Sequence, residues 1–164
     1  MRADHFSPDV QALVETLASH GVRFLLVGGE AVIYHGYPRL TGDVDFWYEQ
    51  TADNAARLFA ALREFWGGRV PGVAAEHELL EPKVVVQFGR PPHRVDLISA
   101  IDGVTFEEAW PHRVDESLER ADGPRIPLPV IGLADLLKNK RVSGRHKDLD
   151  DVEHLESLLP RRNA

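Results

Sequence analysis

The stretch Leu25–Trp47, LLVGGEAVIYHGYPRLTGDVDFW, sets an apolar run against two acids. The run ends at Gly28-Gly29, and fourteen residues after the second glycine Asp43 and Asp45 flank Val44. The segment DVDFWYE alternates with period two, so Asp43, Asp45 and Trp47 share one face of a strand while Val44, Phe46 and Tyr48 share the other. Aspartate is among the residues that strands disfavour most. Two carboxylates at i and i+2 on one face repel unless a cation lies between them, and hard oxygen ligands without histidine or cysteine suit magnesium. The plain alternative is an edge strand with a wet, acidic face.

The glycine pair and a third acid bear on that choice. Gly28-Gly29 stands between a short buried strand, RFLLVG, and a short helix over EAVIYH. Backbone N–H groups at such a junction favour an anion, and glycine lets a phosphate approach the chain closely. A tight strand-to-helix turn would need the same glycines. Asp96, in HRVDLI, lies on a later strand with Val95 and Leu97 turned to the opposite face. Three carboxylates on neighbouring strands beside a phosphate-sized turn match the needs of two-metal phosphoryl chemistry.

Composition limits the alternatives. The 164 residues suit one domain with a sizeable core, spanning 1–164 and completed by C-terminal helices from about residue 132. There are no cysteines, which excludes disulfides, thiolate metal sites and a cysteine nucleophile. No apolar run approaches a membrane span, and MRADHFSPDV lacks the layout of a signal peptide, so a cytoplasmic protein without membrane contact is expected. The net charge of −7 argues against a general nucleic-acid coat. Its distribution is uneven: KNKRVSGRHK, Lys138 to Lys147, holds five bases and no acid. In isolation it reads as a solvated helix end plus loop.

The remaining elements follow from periodicity and caps. Ser7-Pro8 opens an amphipathic helix stopped by Gly21, and Thr51 caps a second running to about Phe65. FWGGRVPGVAAEHELLEP is turn-rich. KVVVQFG and HRVDLISAI read as a hairpin around Arg90-Pro91-Pro92, TFEEAW as a helical turn and PRIPLPVI as an extended edge segment. LADLLKNKR and Asp148–Leu159 read as helices separated at Gly144. This order describes an α+β, mixed α/β fold: a mixed β-sheet covered by helices.

The motif order resembles the nucleotidyltransferase superfamily that shares its core with DNA polymerase β, with its glycine pair, short helix, Asp-x-Asp and later third Asp. It resembles more closely a group of small bacterial nucleotidyltransferase-like proteins. The similar runs are GGEAVIYHGYPRLTGDVDFW, RVDLISAIDGVTFEEAW and LLKNKRVSGRHKDLDDVEHL, spread over roughly residues 22 to 157. The resemblance implies that Asp43, Asp45 and Asp96 bind two magnesium ions, and that Asp96 takes the proton of an attacking hydroxyl. Gly28 and Gly29 would cradle the triphosphate of an NTP. Many members carry Ser where this chain has Gly29, and Glu30 adds an acid beside the expected phosphates.

On the same resemblance, Arg39 and Thr41 would reach phosphate or substrate, against a salt bridge and a turn-stabilising hydroxyl as plainer roles. Lys140, Arg145 and Lys147 would neutralise the triphosphate. Asp148 and Asp151 read as caps that solubilise the last helix, Tyr34, His35 and Tyr37 as packing residues able to stack on a base, and His5, His20 and His154 as surface. The implied activity moves an NMP to a hydroxyl acceptor: an RNA end, a small molecule such as an aminoglycoside, or a protein. A partner protein would supply the acceptor, as in a toxin–antitoxin pair. The competing expectation is a catalytically inactive nucleotide-binding or protein-interaction module that keeps the fold.

Overall fold

The sheet has six strands in the order β3-β4-β2-β1-β6-β5. They are β1 (Phe24–Val27), β2 (Asp43–Tyr48), β3 (Val85–Phe88), β4 (Arg94–Ile98), β5 (Val114–Leu118) and β6 (Ile126–Val130). The helices are α1 (Pro8–Ser19), α2 (Gly28–Tyr34), α3 (Ala52–Phe65), α4 (Phe106–Ala109), α5 (Leu133–Ser143) and α6 (His146–Ser157). This computed structural model describes residues 1–91 and 93–159. The expected hairpin residue Pro92, and the last five residues of the expected domain, lie outside the described residues.

The local signals act as their chemistry dictates. The Ser7 hydroxyl accepts from Val10 N and the Thr51 hydroxyl from Asn54 N, so each satisfies a donor that the first helical turn leaves over. Gly144 closes α5 in the left-handed region, with φ 63°. β2 lies antiparallel to β1 and parallel to β4, and β3 returns antiparallel on β4 as the expected hairpin. Phe24, Leu25, Phe46, Trp47, Tyr48 and Leu97 are among the fully buried side chains of the continuous core. α1 packs on α3 and on β6; α2 packs on β2 and α5, and α5 on α6.

PRIPLPVI is a correction to the sequence reading. It forms β6, an interior strand between β1 and β5, and the edge is β5, whose polar VDESL carries no clear strand pattern. Two prolines are tolerated inside because of where their nitrogens point. Ile131 N donates to Leu26 O at 3.0 Å, so by strand alternation positions 127 and 129 also turn toward β1. Pro127 and Pro129 have no N–H to offer there. The β1–β6 ladder accordingly contains the single register pair Leu26–Val130, while the β5–β6 ladder runs over five.

Candidate active site

Register brings the acids together. Asp45 is the direct partner of Asp96 across β2 and β4, and Asp43 is the partner of Arg94. Partners in a ladder project from the same face, as do residues two apart, so Asp43, Asp45, Arg94 and Asp96 form one polar patch. Gln87, the β3 partner of Asp96, adds an amide to it. Asp45 sits against the start of α2. A β-carbon on Gly28 would lie 1.9 Å from Asp45 Oδ2, and Gly28 has φ +64°.

The electrostatics of the patch are crowded. Burial, then Asp96 and then Asp43, push the Asp45 carboxyl up to about 6, with Lys140 and Arg94 pulling the other way. Arg94 Nη2 donates to Asp43 Oδ2 at 2.7 Å and to Asp96 Oδ2 at 3.3 Å, and Gln87 Nε2 donates to Asp96 Oδ2 at 3.2 Å. Arg94 Nε and Asp96 Oδ1 are 3.1 Å apart. They are misaligned, however, and both buried atoms go without a hydrogen bond. Asp96 thus keeps one oxygen unclaimed in a buried position.

That oxygen, with Asp43 and Asp45, makes an all-carboxylate donor set whose chemistry fits magnesium. Their spacing is a separate matter. Among the described residues no three acidic or imidazole side chains stand close enough to hold an ion as they are placed. Arg94 lies between Asp43 and Asp96 and bonds both.

Above the patch lies a chain of ion pairs. Arg39 grips Asp151 with two bonds, Nε to Oδ1 at 2.6 Å and Nη2 to Oδ2 at 2.9 Å. Lys140 Nζ lies 2.8 Å from Asp148 Oδ1 and 2.9 Å from Asp151 Oδ2. Arg145 Nε donates to Asp148 Oδ2 at 2.6 Å. Lys140, Asp148 and Asp151 are all buried, which corrects the reading of the two aspartates as solubilising caps. Burial raises the Asp148 carboxyl, but its bonds to Arg145 and Lys140 outweigh that and leave it below the usual range.

The expected phosphate residues divide accordingly. Gly28 faces Asp45, and a β-carbon on Gly29 would lie 2.5 Å from Thr41 Oγ1 and 3.3 Å from Arg39 Nη1. The close approach that these glycines permit is therefore to protein groups. Thr41 Oγ1 also donates to Asp43 O at 3.2 Å, the turn-stabilising role. Arg39 and Lys140 stand beside the patch with their cationic heads engaged. Arg145 also bonds Asp148 but is the most accessible of the three: its side chain is 77% exposed, while the Asp45 charge still reaches it. Lys147 is exposed and makes no ion pair among the described residues.

Glu30 has its Oε2 2.6 Å from His5 Nε2, so the acid expected beside the phosphates is paired with His5, which lies at the surface as expected. Tyr37 stacks on His154 with centroids 4.0 Å apart, and His35 Nε2 contacts Ile131 O at 2.8 Å, which gives both rings the packing role. Arg94 and Gln87 escaped the sequence reading. Arg94 was legible in principle, because it stands two residues before Asp96 and must share its face.

No protein-family model matches the chain, and no curated protein matches it. Among solved structures, it is similar to a "putative nucleotidyltransferase" from Thermotoga maritima, with 12% identity and a TM-score of 0.48 over 96% of this chain and 92% of that one. No helix among the described residues is long and apolar enough to cross a membrane.

Proposed function

We propose that the chain is a metal-dependent nucleotidyltransferase, moving an NMP from an NTP to a hydroxyl acceptor with release of pyrophosphate. The observation that carries this reading is the pairing of Asp45 with Asp96, with Asp43 on the same face and the glycine turn against Asp45. A protein that needed only a stable sheet gains nothing from three carboxylates on one patch, because each desolvated charge costs free energy.

Asp43, Asp45 and Asp96 would hold magnesium, which when bound supplies charge neutralisation for the triphosphate and for the leaving pyrophosphate. The chain's own groups do the rest. Asp96, with its unclaimed Oδ1, accepts the proton of the acceptor hydroxyl. The backbone N–H groups of Gly28 and Gly29 orient phosphate oxygens at the start of α2. Arg145 steers the nucleotide in from solvent, and the charges of Lys140 and Arg39 beside the patch offset part of its anionic tail. Acceptors remain those of the resemblance: an RNA end, a small molecule, or a protein hydroxyl offered by a partner.

A second reading, an inactive module retaining the fold, is favoured by one observation: Arg94 already neutralises Asp43 and Asp96. One experiment separates the two. The chain, with magnesium and each α-labelled NTP, is incubated with a cell lysate, and labelled products and pyrophosphate are measured. Label transfer that disappears in the Asp45→Asn variant supports the enzyme; nucleotide bound without pyrophosphate supports the module.

A further inference from the structure

We infer that Arg94 sets the divalent-cation affinity of the carboxylate patch, because its guanidinium already pairs with Asp43 and Asp96, two of the three carboxylates that would hold an ion. The inference rests on the metal-binding part of the proposed function. A single nitrogen, Nη2, contacts both Asp43 and Asp96. The backbone puts Arg94 on the acids' face: it is the ladder partner of Asp43 and stands two residues before Asp96 on β4.

The contact is built to be broken. Of the five guanidinium N–H donors, only those on Nη2 are used within the patch, and Nε has no hydrogen bond. The Arg94 side chain is 31% exposed, so it can withdraw into water along its own flexible stem. Lys140, another cation whose charge reaches Asp45, cannot leave as easily, being buried between Asp148 and Asp151. The apparent metal affinity is then the intrinsic affinity reduced by the fraction of molecules in which Arg94 is out.

Mn²⁺ binding, read from the loss of the free-ion electron paramagnetic resonance signal, tests this without any turnover. The wild type, Arg94→Ala, Arg94→Lys and Asp45→Asn are compared, with thermal unfolding as a check on folding. Arg94→Ala is expected to bind Mn²⁺ about tenfold more tightly, and Arg94→Lys to gain less because it keeps a charge but loses the fork. In the wild type, the Arg94 side-chain Nε–H resonance is expected to move on titration with Mg²⁺, a readout independent of any variant's folding. Wild-type binding that Asp45→Asn abolishes, with no gain in Arg94→Ala and an unmoved Arg94 resonance, overturns the inference and leaves the proposed function standing. No Mn²⁺ binding by the wild type or by Arg94→Ala overturns both.

Discussion

Asp45 and Asp96 are direct partners in the parallel ladder of β2 and β4, so two like charges from distant parts of the chain face each other across one strand spacing, about 4.8 Å. Like charges opposed in this way destabilise a sheet. The pair persists because Arg94, Gln87 and the field of Lys140 offset part of the repulsion.

Relief of that repulsion has a definite sign with pH. The Asp45 carboxyl is raised from 3.8 to about 6, so the folded protein holds its proton more tightly than the unfolded chain. Stability from this group is present at low pH and is lost as pH rises through the range 4 to 6. Asp45→Asn should therefore stabilise the metal-free protein at pH 7, by about 1–3 kcal/mol, and make little difference at pH 4. Urea unfolding of both proteins at the two pH values checks this, and a gain of equal size at each would contradict it.

Gly28 gives a second prediction. Its φ of +64° and the Asp45 oxygen 1.9 Å from an added β-carbon make Gly28→Ala costly in two separable ways. The backbone share is about 1 kcal/mol and the clash adds about 1–3 kcal/mol. In an Asp45→Ala background the carboxylate is gone and only the β-carbon of residue 45, 3.1 Å away, remains, so the same substitution should cost little more than the backbone share. A double-mutant cycle measures the difference, and strict additivity would show that the two residues do not meet.

The cations behind the patch should separate into structural and exposed classes. Lys140→Met leaves Asp148 and Asp151 buried with one counter-ion fewer each, and is expected to destabilise by about 3 kcal/mol. Arg145→Ala removes a largely exposed partner of the buried Asp148, which keeps Lys140, and should cost less than Lys140→Met while raising the KM for NTP. Lys147→Ala should change neither quantity. Chemical unfolding with steady-state kinetics on the three variants tests the division, and a KM effect at Lys147 equal to that at Arg145 would refute it.

The face of the acids was legible in the sequence, because strand alternation assigns Asp43, Asp45 and Asp96 to sides without further information. Their register was not, since β2 and β4 are separated by α3 and a turn-rich segment and pair only through the tertiary fold. Asp148 and Asp151 were misread because a charge near a helix start suggests capping. Their spacing with the buried Val152 and Leu155 instead places them on the inward stripe of α6. β5 was missed for a related reason: a polar strand has no hydrophobic pattern to announce it.

The prolines of β6 have a mechanical consequence. Between β1 and β6 the backbone is joined through one ladder pair, so the sheet has a soft joint between its four strands β3-β4-β2-β1 and the pair β6-β5. The acids lie on one side of that joint. Lys140, Asp148 and Asp151 are carried on the two helices that follow β6, and the first of these, α5, packs on α2. Hydrogen exchange should therefore reveal two blocks, with the β5–β6 amides opening together and ahead of those of β1, β2 and β4. The bond from Arg39 to Asp151 ties the segment between α2 and β2 to α6, so breaking it should let the helices that follow β6 move more freely against the strands that carry the acids.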